Sequence, residues 1–135
     1  MILAGDVGAT KILLEVGAER SGRWEGAHAR RFQTADAANF SAVLAEFLRE
    51  WGEIRRGSQR ITAAAFGVAG PAQGNRVKMT HRPWTVDGDA IARRFPIPKV
   101  RVVNDLAAVA RGIDAVDARA ALRQMLRKLG VLRGP

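Results

Sequence analysis

The chain has 135 residues, 47% hydrophobic and 26% charged, the balance of a soluble globular domain with enough apolar material for a core of its own. It contains no cysteine, which excludes a disulfide framework, a thiolate metal site and a cysteine nucleophile, and fits a reducing compartment. Lys and Arg number 22 against 13 Asp and Glu, a formal charge of +9, but the basic residues are scattered and do not interleave with aromatics as a nucleic-acid surface would.

Residues 2–8 form an apolar run closed by Gly-Ala-Thr, and residues 10–17 resume it. Both read as strands, with a tight turn at Asp6-Val7-Gly8-Ala9-Thr10-Lys11 between them. Ser21-Gly22 marks a second turn, and residues 24–33 supply a third strand of an antiparallel meander. From 36 to 51 the spacing is helical: Phe40, Val43, Leu44, Phe47, Leu48 and Trp51 fall on one face. Asp36 or Asn39 can cap this helix.

Residues 61–68 are a fourth strand, ending in Ala69-Gly70-Pro71, and residues 75–80 a short one after the Gly74-Asn75 turn. Residues 87–95 read as a short helix ended by Pro96 and Pro98. Residues 99–104 are a buried strand delivering Asn104-Asp105, with a helix expected at 106–111. The later strands are each reached through a helix and therefore run parallel. The expected fold is an α/β, mixed five-stranded sheet in the order 3-2-1-4-5, flanked by helices. Over 117–130, Leu122, Met125, Leu126 and Leu129 make the apolar stripe of a basic amphipathic helix, suited to packing on the domain or to self-association. Met1 is followed at once by an apolar run and an early Asp6, with no basic leader, and no apolar run approaches the roughly 20 residues of a membrane span. The expectation is a soluble, cytoplasmic protein with no membrane partner.

Three places carry candidate chemistry. Asp6 ends a strand and is followed by small residues that let backbone N–H groups approach a phosphate, with the Thr10 hydroxyl and the Lys11 charge beside them. Asp6 could hold Mg²⁺ through water. The same residues also make an ordinary tight hairpin. Phe66-Gly67-Val68-Ala69-Gly70-Pro71 ends a strand in a turn that a ligand could approach, or that serves geometry alone. At Val103-Asn104-Asp105 a buried strand ends in an amide and a carboxylate at the sheet edge where open α/β sheets bind ligands. There Asp105 is either a general base or a helix cap, and Asn104 can bond a hydroxyl with either end of its amide. Trp84 reads as core. With only two histidines, His28 and His81, and no cysteine, a protein-built zinc site is not indicated. No nucleophile elbow or hydrolase triad is present.

Four motifs in order, Leu3 to Lys11, Gly67 to Pro71 with Gly74-Asn75, Met79-Thr80 to Pro83-Trp84, and Val103-Asn104-Asp105, resemble the bacterial glucokinase family of the sugar kinase, Hsp70 and actin superfamily over residues 2–113. The resemblance implies a ribonuclease H-like lobe and ATP-dependent phosphorylation of glucose at the 6-hydroxyl. It assigns Asp105 as general base, Asn104 and Asp105 as sugar ligands, Asp6, Gly8, Ala9, Thr10 and Lys11 as the phosphate site, and Asp6 as an indirect Mg²⁺ ligand. Two departures stand out. Ala9 occupies the second position of a usual Gly-Gly pair, strained by roughly 1 kcal/mol if that position needs a positive φ, and His81 stands where an Asn is common. The larger, nucleotide-completing domain of the family is not found in the sequence. Residues 1–113 are accordingly expected to be the sugar-binding domain and residues 114–135 the basic helical tail, in a truncated chain inactive alone. The alternatives are a non-catalytic sugar- or nucleotide-binding or regulatory module of the same family and, from charge alone, a nucleic-acid binder. Repressors of the superfamily carry a helix-turn-helix ahead of the fold, and with a first strand read at residue 2 none is expected here.

Overall fold

Two tight turns build the first half of the molecule. In the computed structural model, which describes residues 1–57 and 59–104, β1 (Ile2–Val7) and β2 (Lys11–Arg20) pair antiparallel, from Ile2 opposite Gly17 to Val7 opposite Ile12. The chain reverses again at Ser21-Gly22, both at positive φ (54° and 74°), the conformation that matches the twist of a two-residue hairpin. β3 (Arg23–Gln33) then runs back along β2. The β2–β3 register slips by one residue after Val16, leaving Ala27 as the extra residue of a bulge.

α1 (Phe40–Ile54) begins at Asn39, whose side chain accepts a hydrogen bond from Ala42 N–H at 2.9 Å. Of the two candidate caps it is Asn39 that acts, because residues 34–36 are taken up in a separate 3₁₀ turn. The helix continues through Gly52 to Ile54. Its buried face, Phe40, Val43, Leu44, Phe47 and Trp51, is the expected stripe apart from Leu48, which is half-buried. Leu3, Val7, Ile12, Leu14, Val16 and Phe66 project from one face of the sheet into the same core, and the Phe40 and Phe66 rings meet edge-to-face at 5.1 Å. Gly5, on that face, gives the Phe66 ring its room: a Cβ there would stand 2.6 Å from Phe66 Cδ1.

β4 (Ala63–Val68) lies parallel to β1, and β7 (Lys99–Asn104) parallel to β4. The sheet order is β3-β2-β1-β4-β7, the expected 3-2-1-4-5 with the last strand seventh in the chain. Between β4 and β7 lie β5 (Arg76–Lys78) and β6 (Thr85–Asp87), a separate two-stranded hairpin of which only the first strand is legible in the sequence. Then follows α2 (Gly88–Arg94), capped by Asp87 through the Asp89 and Ala90 N–H groups. Trp84 is buried, as expected, with Val77, Met79, Val86, Ile91 and Ile97 in the common core. No helix among the described residues is long and apolar enough to cross a membrane. Asp105, the helix expected at 106–111 and the stripe at 117–130 lie outside the described residues.

Candidate functional site

Parallel registry sets the site. Val7 pairs with Val68, and Val68 with Asn104, so the last residues of β1, β4 and β7 stand side by side at the carboxyl edge of the sheet. Adjacent strands are about 4.8 Å apart, which puts roughly 10 Å between the ends of β1 and β7. The turn after β1, the glycine loop after β4 and the end of β7 thus lie in one row, although the sequence separates them by some 35 to 60 residues.

Asp6 is the fifth residue of β1, paired with Leu13 on one side and Gly67 on the other, and half-buried. The turn beyond it is held at several points. Gly8 N–H donates to Lys11 O at 2.9 Å. Thr34, fully buried directly after β3, donates its Oγ1 hydroxyl to Gly8 O at 2.9 Å and its N–H to Thr10 O at 2.9 Å. Arg82 donates Nε–H to Ala9 O at 3.0 Å. Three consecutive carbonyls, those of Gly8, Ala9 and Thr10, therefore have partners. The Ala9 and Thr10 N–H groups donate to no described residue. Ala9 is not among the residues at positive φ, so the turn does not strain it; the cost considered from the sequence does not arise, and its methyl group only occupies space. Thr10 and Lys11 are exposed.

The loop after β4 is tied to the same edge. Ala69 N–H donates to Val7 O at 3.1 Å, and Thr80 N–H to Ala69 O at 3.2 Å. Gly70 admits the neighbouring segment: a Cβ on it would lie 2.1 Å from Lys78 O, a backbone atom that cannot step aside. Asn104 Nδ2 donates to Gly70 O at 2.7 Å. One end of the Asn104 amide is therefore partly committed to the fold, while Oδ1 accepts from no described residue. Asn104 is exposed.

Three residues that shape this edge carry no local sequence signal for the part they play. Thr34 and Arg82 hold the turn after β1. Asn75, read as half of a Gly-Asn turn, is a staple for β7. Its Oδ1 accepts from Val102 N–H at 2.7 Å and its Nδ2 donates to Val100 O at 2.8 Å, so a side-chain amide satisfies two backbone groups on the side of β7 away from β4. Gly88 makes room for it, since a Cβ there would stand 2.4 Å from Asn75 Nδ2. His81, at the position where an Asn was noted as common, is exposed. His28 lies away from this edge, on β3, stacked on Phe47 at 5.1 Å with its Nε2 3.3 Å from Glu50 Oε2. Among the described residues no group of three or more His, Asp or Glu is placed to hold a metal ion.

Comparison with known proteins agrees with this architecture. A glucokinase from Trichormus variabilis is 31% identical over 114 residues, covering 84% of this chain and 32% of its own. A glucokinase from Nostoc punctiforme is 30% identical over 119 residues, covering 86% and 33%. The chain spans about a third of the length of the curated relatives it matches. Among solved structures, a glucokinase from an Antarctic psychrotroph superposes with a TM-score of 0.67 at 21% identity, over 85% of this chain and 36% of that one. A ROK family transcriptional regulator does so at 0.53 and 18%, over 81% and 28%. These two likenesses show the fold alone. The glucokinase family model matches residues 3–129, nearly the whole sequence, and the chain belongs to the glucokinase family.

Proposed function

We propose that this chain is the sugar-binding lobe of an ATP-dependent glucokinase, with residues 1–113 forming that domain, and that the carboxyl edge of β1, β4 and β7 is where a hexose and the terminal phosphates of ATP meet. The observation that carries the reading is the shared edge: Val7, Val68 and Asn104 stand in register, with the Gly8–Lys11 turn and the Gly70 loop following the first two, and the Ala9 and Thr10 N–H groups donate to no described residue. Phosphoryl transfer needs an anion seat, an oriented hydroxyl and a base within reach of it. The turn is the seat. Asn104 Oδ1 accepts from a sugar hydroxyl, its Nδ2 being held by Gly70. Asp105, the next residue, takes the proton of the attacking 6-hydroxyl, and Lys11 adds positive charge at the phosphates.

Mg²⁺ arrives with ATP as part of the substrate and neutralises the charge on its phosphates. The donor set suits such a shared ion, since Mg²⁺ keeps much of its water: Asp6 sits at the end of β1 within the row, and no all-protein cage is formed among the described residues. For residues 114–135, which lie outside the described residues, we propose a basic tail whose apolar stripe at 117–130 serves self-association. Activity in the cytoplasm fits a substrate pair found there.

Orientation of two bound reactants supplies up to about 7–11 kcal/mol of catalysis, and one lobe by itself, about a third of the relatives' length, forfeits most of it. A polypeptide of these 135 residues is therefore expected to give little or no glucose-dependent ADP release with MgATP. In the complete two-lobe enzyme, Asp105→Asn is expected to remove most turnover and leave glucose binding in place. A coupled assay with equilibrium glucose binding tests this. Turnover surviving Asp105→Asn would refute the assignment of the base. Sugar or nucleotide binding with no turnover in the complete protein would favour a regulatory module of the same family.

A further inference from the structure

Arg82 enters the site from a part of the chain 73 residues away and does something specific to the turn. Peptide groups are planar and trans, so the C=O of one residue and the N–H of the next point in opposite directions. Fixing a carbonyl therefore aims the following N–H. The Thr34 hydroxyl on Gly8 O, at 2.9 Å, aims the Ala9 N–H. Arg82 Nε on Ala9 O, at 3.0 Å, aims the Thr10 N–H. The Thr34 N–H on Thr10 O, at 2.9 Å, closes the row. The two aimed N–H groups are those that donate to no described residue.

Arg82 brings charge as well as a bond. It is half-buried and makes no ion pair among the described residues, where Arg20, Arg30 and Arg49 each pair with Glu. A guanidinium has five N–H donors on a rigid plane, and the bond to Ala9 O uses the one on Nε. The four on the Nη nitrogens stay within a few ångströms of the turn, as a fork that matches phosphate oxygens. Lys11, the turn's other cation, is exposed, at the end of a flexible stem.

We infer that Arg82 is a positioning residue for the phosphate seat: it locks the Ala9–Thr10 peptide so that the Thr10 N–H faces an incoming phosphate, and it holds a fixed positive charge beside that phosphate. The ligand is the terminal phosphate of a nucleoside triphosphate. This rests on the reading of the turn given above.

The test uses ¹⁵N-labelled 135-residue chain titrated with MgATP and, separately, with inorganic tripolyphosphate, following the Ala9 and Thr10 amide resonances. Both are expected to move in the wild type with both probes, because the phosphates carry the contact. In Arg82→Ala, apparent affinity is expected to fall about tenfold. The Thr10 response is expected to be lost while the Ala9 response, still aimed by Thr34, persists at high ligand. Arg82→Lys keeps the charge without the rigid fork and is expected to recover less than half of the loss; it also carries the comparison if circular dichroism shows Arg82→Ala unfolded. A Thr10 response and affinity unchanged in either variant would overturn the inference and leave the phosphate seat standing. Full recovery by Lys would also overturn it, since charge alone would then suffice. No response at residues 8–11 in the folded wild type would sink the phosphate seat itself, and the inference with it.

Discussion

Replacing Asn75 by Ala tests whether β7 is held by its core contacts or by its outer edge. Among the described residues β7 pairs with β4 alone, and on its other side the Asn75 amide occupies Val102 N–H and Val100 O at 2.7 and 2.8 Å. A third bond, from Nδ2 to Asp89 Oδ1 at 3.1 Å, is exposed and adds little. The two bonds to the strand are part-buried, and each is worth about 1 kcal/mol net, more where the strand group left behind cannot reach water. Asn75→Ala is therefore expected to cost about 2–3 kcal/mol in urea denaturation. The Val102 amide should lose hydrogen-exchange protection ahead of Ala64 and Phe66 on the neighbouring strand. Asn75→Asp sharpens the test: it keeps an acceptor for Val102 N–H but sets a carboxylate against Val100 O and Asp89, and is expected to be no better than Ala at neutral pH. A loss under 0.5 kcal/mol in both variants on this scale, with Val102 protection unchanged, would show that the core alone holds β7 and that the staple reasoning is wrong.

Three further outcomes are expected. Gly88→Ala should destabilise by about 1–3 kcal/mol through overpacking, because its Cβ would stand 2.4 Å from Asn75 Nδ2; with Asn75→Ala already in place most of that cost should vanish in a double-mutant cycle. Gly70→Ala would place a Cβ 2.1 Å from Lys78 O, so the loop must shift, and the change should appear as altered Asn104 side-chain amide resonances as well as a lower melting temperature. Asn39→Ala should cost about 1 kcal/mol by removing the bond to Ala42 N–H, with no change at residues 8–11 by NMR.

Local pattern was enough for most of the framework. The five strands of the main sheet and the face of α1 are written in apolar periodicity, and Ser21-Gly22 in turn chemistry. The parallel order followed from a helix intervening before each later strand. β6 was missed because three residues, with Val86 alone buried between Thr85 and Asp87, are too few to show a period. The helix start was ambiguous because Asp36 and Asn39 are both good caps; the 3₁₀ turn over 34–36, tied by Ala37 N–H to Thr34 O at 3.2 Å, decides it. At the site, strand ends and glycines located the row, but not what fixes it. Nothing near Thr34, Asn75 or Arg82 in the sequence says that each bonds to a strand or turn at least 24 residues away, because a side chain's long-range partner leaves no periodic trace.

These ties divide the molecule into two kinds of order. The sheet and α1 are held by burial, with Leu3, Val7, Leu14, Phe47 and Phe66 fully enclosed, and burial is insensitive to small rotations of individual peptides. The carboxyl edge of the sheet is held instead by side-chain hydrogen bonds onto backbone carbonyls: Thr34 and Arg82 on the turn, Asn104 on Gly70. Such bonds are directional, and each contributes only about 1 kcal/mol to folding. Removing one is expected to leave the sheet intact while freeing a peptide to rotate. Asn75 differs because it acts on a strand of the sheet itself. Loss of a peptide's orientation and loss of stability are thus different readouts at this edge: a melting temperature registers the roughly 1 kcal/mol of a lost bond, and amide shifts register which peptide has turned.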